Sequence, residues 1–219
     1  VTRIERAAFE NNSINTLEIP SSVTYIGEYS FRHNKINSLI LHEGLKSINL
    51  DAFQNNYISE INIPSSVTYL GGGTFAANSV TGENAFVYGR NSDGSIDYTT
   101  LDCYAGKDAT GTTISDTVTT ISREAYYTVK YLEIDVPARI KEIPPYCFNE
   151  TNAKRITLHE GLEKIGENAF GLNWRLGEIS IPSTVKAIGY EAFPVTLKTI
   201  NINKTENTIT GAPWGATNA

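Results

Sequence analysis

Two stretches decide the fold. Residues 17–31 read Leu17-Glu18-Ile19-Pro20-Ser21-Ser22-Val23-Thr24-Tyr25-Ile26-Gly27-Glu28-Tyr29-Ser30-Phe31, and residues 61–75 repeat the phrase as Ile61-Asn62-Ile63-Pro64-Ser65-Ser66-Val67-Thr68-Tyr69-Leu70-Gly71-Gly72-Gly73-Thr74-Phe75. Working outward, an apolar residue followed five positions later by an aromatic recurs at Ile4/Phe9, Ile26/Phe31, Ile48/Phe53 and Leu70/Phe75. The pair returns at Ile121/Tyr126, Ile143/Phe148, Ile165/Phe170 and Ile188/Phe193. The step is 22 residues, except 23 at the end and 51 between Phe75 and Tyr126, which is two periods plus seven residues.

A period near 22 is too short for stacked helix pairs and lies in the leucine-rich-repeat range, where each coil gives one short strand to a parallel sheet. The strand slot holds Leu17-Glu18-Ile19-Pro20, Leu39-Ile40-Leu41-His42, Ile61-Asn62-Ile63-Pro64, Ile134-Asp135-Val136-Pro137, Ile156-Thr157-Leu158-His159 and Ile179-Ser180-Ile181-Pro182. Apolar residues alternate with a variable one, as in a strand buried on one face, and Pro closes the phrase because it cannot donate to a ladder. Val23-Thr24-Tyr25-Ile26 and its equivalents predict a second short strand.

The slot four before the aromatic holds Glu5, Gly27, Asn49, Gly71, Ser122, Pro144, Gly166 and Gly189. Pro144 fixes φ near −65°, so a shared backbone excludes a left-handed residue there, and the Gly, Asn and Ser content predicts the N-cap of one helical turn. The slot before the aromatic is always small, from Ala8 to Ala192, which predicts a crowded interior. Three residues after the aromatic stand Asn12, Asn34, Asn56, Asn78 and Asn173, an internal ladder expected to pair backbone groups that the turns leave open.

The expected architecture is a β-rich solenoid: a right-handed leucine-rich-repeat coil of about nine 22-residue repeats with a parallel sheet, short helical turns and one β-hairpin insertion. The solenoid is expected over residues 1–203, with the insertion at 81–111 and a cap or linker tail at 204–219 that contains Trp214. Within the insertion, Ala85-Phe86-Val87-Tyr88 and the run Ile96 to Leu101 flank Asn91-Ser92-Asp93-Gly94, which reads as a hairpin packed across one edge. Asn91 to Asp97 also resembles the middle of a calcium loop, but Gly89 and Thr100 stand where the first acid and the bidentate Glu belong, so no metal site is expected.

The pattern L-x-I-P-S-S-V-x-x-I-G-x-x-A-F-x-x-N-x-I, carried by Ile19–Phe31, Ile63–Phe75 and Ile181–Phe193, resembles the BspA-like, or Treponema pallidum-type, leucine-rich repeats of bacterial surface proteins. That resemblance implies a scaffold in an extracellular, secreted or cell-surface setting, part of a longer multidomain chain, with roles in adhesion.

The 219 residues carry a formal charge of −6, which argues against a nucleic-acid footprint, and no apolar run is long enough to span a membrane. No Met is present, and Val1 starts inside a coil, so a segment of a longer chain is expected. Cys103 and Cys147 form no metal motif; Cys147 fills a small-residue slot, and a disulfide between the two stays open. His42 and His159 hold one slot in the twin phrase Leu-His-Glu-Gly-Leu, and no nucleophile elbow, phosphate loop or acid pair appears. The chain is therefore expected not to be an enzyme and to need no cofactor. The surface left for binding is the variable strand position: Glu18, Ile40, Asn62, Asp135, Thr157, Ser180 and Asn201, stacked on the concave side. Tyr29, Tyr57 and Trp174 are rival anchors in loops. The expectation is a non-enzymatic module that recognises a protein or glycan through that row or the hairpin edge; the alternative is a structural spacer presenting other domains. A polysaccharide lyase would need a cluster of acidic and basic residues on adjacent coils, and none is visible.

Overall fold

The computed structural model describes residues 1–203; the expected cap at 204–219, Trp214 included, lies outside the described residues. The chain divides into two compact units, Val1–Lys107 and Asp108 onward. Each is a stack of parallel β coils, the leucine-rich-repeat solenoid that the period predicts.

In the first unit the short second strands Arg3–Ile4, Tyr25–Ile26, Ser47–Ile48 and Tyr69–Leu70 form one parallel ladder, with Ile4, Ile26, Ile48 and Leu70 aligned one above the next. Glu142–Ile143, Lys164–Ile165 and Ala187–Ile188 do the same in the second. The longer strands pair as Thr16–Glu18 with Ser38–Ile40, Glu133–Val136 with Arg155–Leu158, and Glu178–Ile181 with Thr199–Ile202. Ile61-Asn62-Ile63 is the exception: the sequence marks it as a strand, yet residues 59–63 join no ladder.

The aromatic slot builds a spine in each unit. Phe9, Phe31, Phe53 and Phe75 stack at centroid spacings of 5.2, 5.4 and 5.2 Å with rings within 8° of parallel. Tyr126, Phe148, Phe170 and Phe193 stack at 5.1, 5.6 and 6.2 Å. The spacing follows from the roughly 4.8 Å rise between parallel strands, which puts identical side chains in register. The small slot is buried beside it at Ser30, Ala52, Thr74, Ala125, Cys147, Ala169 and Ala192.

Around the spine the expected helical turn is absent. Among the described residues the one helix is a 3-10 turn, Gly82–Ala85. The coils instead run through two tight turns, with left-handed residues two before and two after the aromatic, as at Tyr29 (φ 59°) and His33 (φ 54°) around Phe31; the coil at Phe193 keeps only the first, at Glu191. Alternate amides then serve two purposes. Ser30 and Arg32 donate within the coil to Gly27 O and Tyr29 O, whereas Tyr29, Phe31 and His33 donate to Leu50 O, Ala52 O and Gln54 O of the next coil. A helical turn would point every amide along its own axis and leave the neighbouring coil unbonded, so the stack favours the turn chain and accepts left-handed residues that are not Gly.

The Gly slot is not left-handed, as Pro144 requires, but its cause is crowding and not an N-cap. A Cβ on Gly27 would lie 2.7 Å from the Arg6 amide nitrogen, and one on Gly71 would lie 2.3 Å from that of Leu50. Asn49 stands in the same slot and donates its amide to Ile26 O.

Asn34, Asn56, Asn78 and Asn173 form the expected ladder, whereas Asn12, in the first coil, is exposed and donates to Glu10 O. Asn56 Nδ2 donates to Phe31 O and Phe53 O, and its Oδ1 accepts from Ile36 N. Asn34, Asn78 and Asn173 repeat the arrangement. Where Thr151 replaces Asn, its hydroxyl donates to Asn173 Oδ1 of the next coil.

The insertion is the expected hairpin: Phe86–Arg90 runs antiparallel to Ile96–Tyr104. Its tip closes by Gly94 N to Asn91 O, at 2.9 Å, with Gly94 at φ 86°. Its C-terminal strand takes the place of a coil over residues 72–75. Gly72 N and Thr74 N donate to the Asp102 carboxylate, and Phe75 N to Cys103 Sγ.

Candidate functional site

All seven residues of the variable row are exposed. The ladders set Glu18 beside Ile40, Asp135 beside Thr157 and Ser180 beside Asn201, because a parallel pair in register repeats one face of the strand from coil to coil. Asn62 belongs to the first unit and turns its amide back to Glu60 Oε1 at 2.9 Å.

The two histidines of the twin phrase are tied to this row. His42 Nε2 lies 2.9 Å from Glu18 Oε1, and His159 Nε2 lies 2.6 Å from Asp135 Oδ1, each one coil back. His replaces Pro where the preceding coil carries an acid at the variable position. Both pairs are solvent-exposed, so each contributes under about 1 kcal/mol. The adjoining acids serve the turns. Glu43 accepts from Ser65 N, Ser65 Oγ and Ser66 N, which holds its carboxyl below the usual range, and Glu160 accepts likewise from Ser183.

Two clefts touch the row. In the second unit, a depression of about 480 Å³ is lined by Arg155, Thr157, Glu178, Ser180 and Asn201. It opens where the ladder lapses between Arg155–Leu158 and Glu178–Ile181. That lapse matches the single 23-residue step in the repeat: the extra residue falls near Trp174, which is 57% exposed. In the first unit, a cleft of about 460 Å³ lies between residues 59–63 and the hairpin residues Tyr88, Arg90, Ile96 and Tyr98. The sequence marks Asn62 as a row residue but carries no sign that it forms a wall of a cleft.

The rival aromatic anchors differ from one another. Tyr57 is 52% exposed with Lys107 Nζ 4.0 Å from its ring centroid. Tyr29 is half-buried between the guanidinium groups of Arg6 and Arg32, at 5.3 and 5.2 Å, so its faces are already covered.

Cys103 and Cys147 are both free and buried, and burial pushes both thiols well above the usual range, which leaves them poor nucleophiles. In the hairpin, Asp93 accepts from Ser95 N and Oγ, and Asp97 from Thr99 N and Oγ1, so both carboxylates close local turns. Among the described residues no three His, Cys, Asp or Glu side chains gather closely enough to hold a metal, and no helix is long and apolar enough to cross a membrane.

A family profile described as the BspA type leucine rich repeat region matches residues 1–86 and 99–213 in six copies. Comparison with curated proteins yields no match. Among solved structures, the chain is similar to the pneumococcal vaccine antigen PcpA, with 23% identity and a TM-score of 0.71 over 92% of this chain and 54% of that one. A leucine rich cell surface protein from Faecalibacterium prausnitzii shares 17% identity and a TM-score of 0.67 over 95% of this chain and 67% of that one. A leucine-rich repeat protein from Eubacterium ventriosum shares 17% identity and a TM-score of 0.59 over 91% of this chain and 70% of that one. The chain thus spans about half the length of the pneumococcal antigen, and these likenesses concern the fold.

Proposed function

The chain belongs to the BspA-type leucine-rich-repeat family, and from that premise we propose that it is a non-enzymatic recognition module of a bacterial surface or secreted protein, binding a protein or glycan partner through the variable strand row. The observation that carries this reading is the row itself. Seven exposed side chains of mixed chemistry stand at the variable position, six of them on short parallel strands, with Thr157, Ser180 and Asn201 lining a depression of about 480 Å³. The rest of each coil is committed to stacking; the row is what differs between coils, and variation on a constant scaffold is how solenoids acquire partners. Support for a surface setting comes from the printed description of the Faecalibacterium relative as a cell surface protein. The surrounding modules and the coil boundaries 1–203 belong to the same proposal.

The test is an array of glycans and extracellular-matrix proteins probed with the 219-residue chain and with a Thr157→Lys/Ser180→Lys variant. Exposed positions accept lysine without loss of fold, which circular dichroism checks. Saturable binding that falls at least tenfold in the variant is the expected result. A blank array for the chain would leave the spacer role as its function; binding that the variant leaves unchanged would move the site elsewhere.

A further inference from the structure

The first unit has a strand phrase without a strand partner. Residues 59–63 repeat the sequence of Thr16–Glu18 and Ser38–Ile40, which pair with each other, yet among the described residues none of the five makes a backbone–backbone hydrogen bond. The two residues just before them keep their bonds, Tyr57 N donating to Ile36 O and Ile58 O accepting from Ser79 N, and inter-coil bonding resumes beyond them where Thr68 N donates to Lys46 O. The alternation survives, with Ile61 and Ile63 half-buried and Glu60 and Asn62 exposed. Facing this unpaired backbone across the cleft of about 460 Å³ is the hairpin, which presents Ile96 (41% exposed) and Tyr98 (54% exposed). The wall is fixed in place: Tyr88 packs on Tyr98 with centroids 5.1 Å apart, and Arg90 spans from Gly94 O to Ile63 O.

We propose that this cleft takes an extended peptide segment, uncharged along its centre and alternating apolar with polar residues, which adds as a strand to residues 59–63. Main-chain hydrogen bonds to the open backbone would give affinity, and the alternate side chains would meet Ile96 and Tyr98 on one face and solvent on the other. A cleft of this volume is in the range of specific sites. A glycan would use Tyr98 and the Glu60–Asn62 pair but would leave the row of backbone groups unmatched, so the peptide is the better fit. The inference rests on the recognition reading above and specifies one partner class for the hairpin edge.

The probe is the capped hexapeptide Lys-Thr-Ile-Asn-Ile-Asn, the chain's own phrase at residues 198–203, part of which already forms a parallel ladder with Glu178–Ile181. It is titrated into isotope-labelled chain and followed by amide spectra. A copy N-methylated at both Ile residues and a chito-oligosaccharide are the comparison arms. Expected are saturable shifts in residues 59–63, at least tenfold weaker binding of the N-methylated copy, and at least fivefold weaker binding by Ile96→Ala, which trims an exposed lining side chain and leaves the Tyr88–Tyr98 packing in place. No saturable shift up to about 5 mM peptide, a millimolar affinity floor, would overturn the proposal. So would equal binding of the N-methylated copy, or shifts of these amides by the oligosaccharide alone. A partner from the array that the Thr157→Lys/Ser180→Lys variant loses while the peptide shows nothing would overturn this inference and leave the recognition reading standing.

Discussion

At the scale of single residues, the interior is specified as much by polar groups as by apolar ones. Asn56 serves three backbone groups that the turns cannot pair, and each left unmet inside a protein costs about 1–3 kcal/mol. Asp102 is a different case, because it is the carboxylate that is buried. Loss of hydration raises its carboxyl from the ordinary 3.8 to about 6, although hydrogen bonds from Thr74 and from the Gly72 amide pull the other way. The folded chain therefore holds the Asp102 proton more tightly than the unfolded chain does. Between pH 4 and 6 the native state binds more protons, so this group's contribution to stability is present at the acid end and declines as pH rises, by up to about 3 kcal/mol. Other carboxyls slope in the opposite sense; Asp108, paired with Lys130, is held down at about 2. The useful measurement is thus the difference between the chain and Asp102→Asn in urea denaturation at several pH values. The difference should shift against the wild-type chain from pH 4 to 6 and level off above 7. A difference that does not change with pH would show that the Asp102 proton plays no part.

At the scale of elements, legibility depended on which residue types a conformation demands. The spine and the small slot were readable because each position holds one kind of side chain in coil after coil, and the asparagine ladder because Asn recurs at one position in most coils. The hairpin was readable from its Gly-containing tip between alternating strands. The turn chain was not: its left-handed positions mix Asn11, Asn55 and Asn168, of a type that favours that conformation, with Ala7, Tyr29, Glu124 and Tyr146, which carry no signal for it, and the inter-coil amides are what hold them there. Nor was the lapse at 59–63 readable, since Ile61-Asn62-Ile63 has the same pattern as strands that do pair. Within the candidate row, identity and exposure followed from alternation; of the two ladder stops that open the clefts, the one in the second unit coincides with the 23-residue step, whereas the one at residues 59–63 falls in an unbroken 22-residue period. Glycines separate the same way. Gly94 has φ +86°, and a Cβ there would fall 1.8 Å from Ser65 O, where the hairpin tip meets the coil; Gly111 has φ +83° and open space around it. Gly111→Ala should cost only the left-handed penalty of about 1–2 kcal/mol. Gly94→Ala adds a backbone collision, so it should lift the tip and raise hydrogen exchange across Phe86–Tyr104. Equal exchange in the two variants would mean that the tip is not seated on Ser65.

At the scale of the whole chain, stacking replaces a central core. Within each unit an interior coil buries its aromatic ring against the coil before and the coil after, so stability is a sum of neighbour contacts and depends on a residue's place in the stack as well as its type. In the first unit, Phe53 is fully buried between Phe31 and Phe75, whereas Phe9 is 45% exposed and stacks only on Phe31. The same substitution at the two positions removes the same atoms and leaves different voids. Phe53→Ala opens a cavity closed on both sides by rings that are held in place by inter-coil amides, and such sites lose about 3–5 kcal/mol. Phe9→Ala removes a ring already half in water, so roughly half the burial term of 1.5–3 kcal/mol is at stake. Urea denaturation followed by near-ultraviolet dichroism should therefore rank Phe53→Ala well below Phe9→Ala in stability. Hydrogen exchange in Phe53→Ala should rise in the Phe31 and Phe75 coils as well, because a neighbour-coupled stack passes a lost contact to both sides. Equal costs at Phe9 and Phe53, or a loss confined to the substituted coil, would mean that the coils are stable individually and the spine is only their side effect.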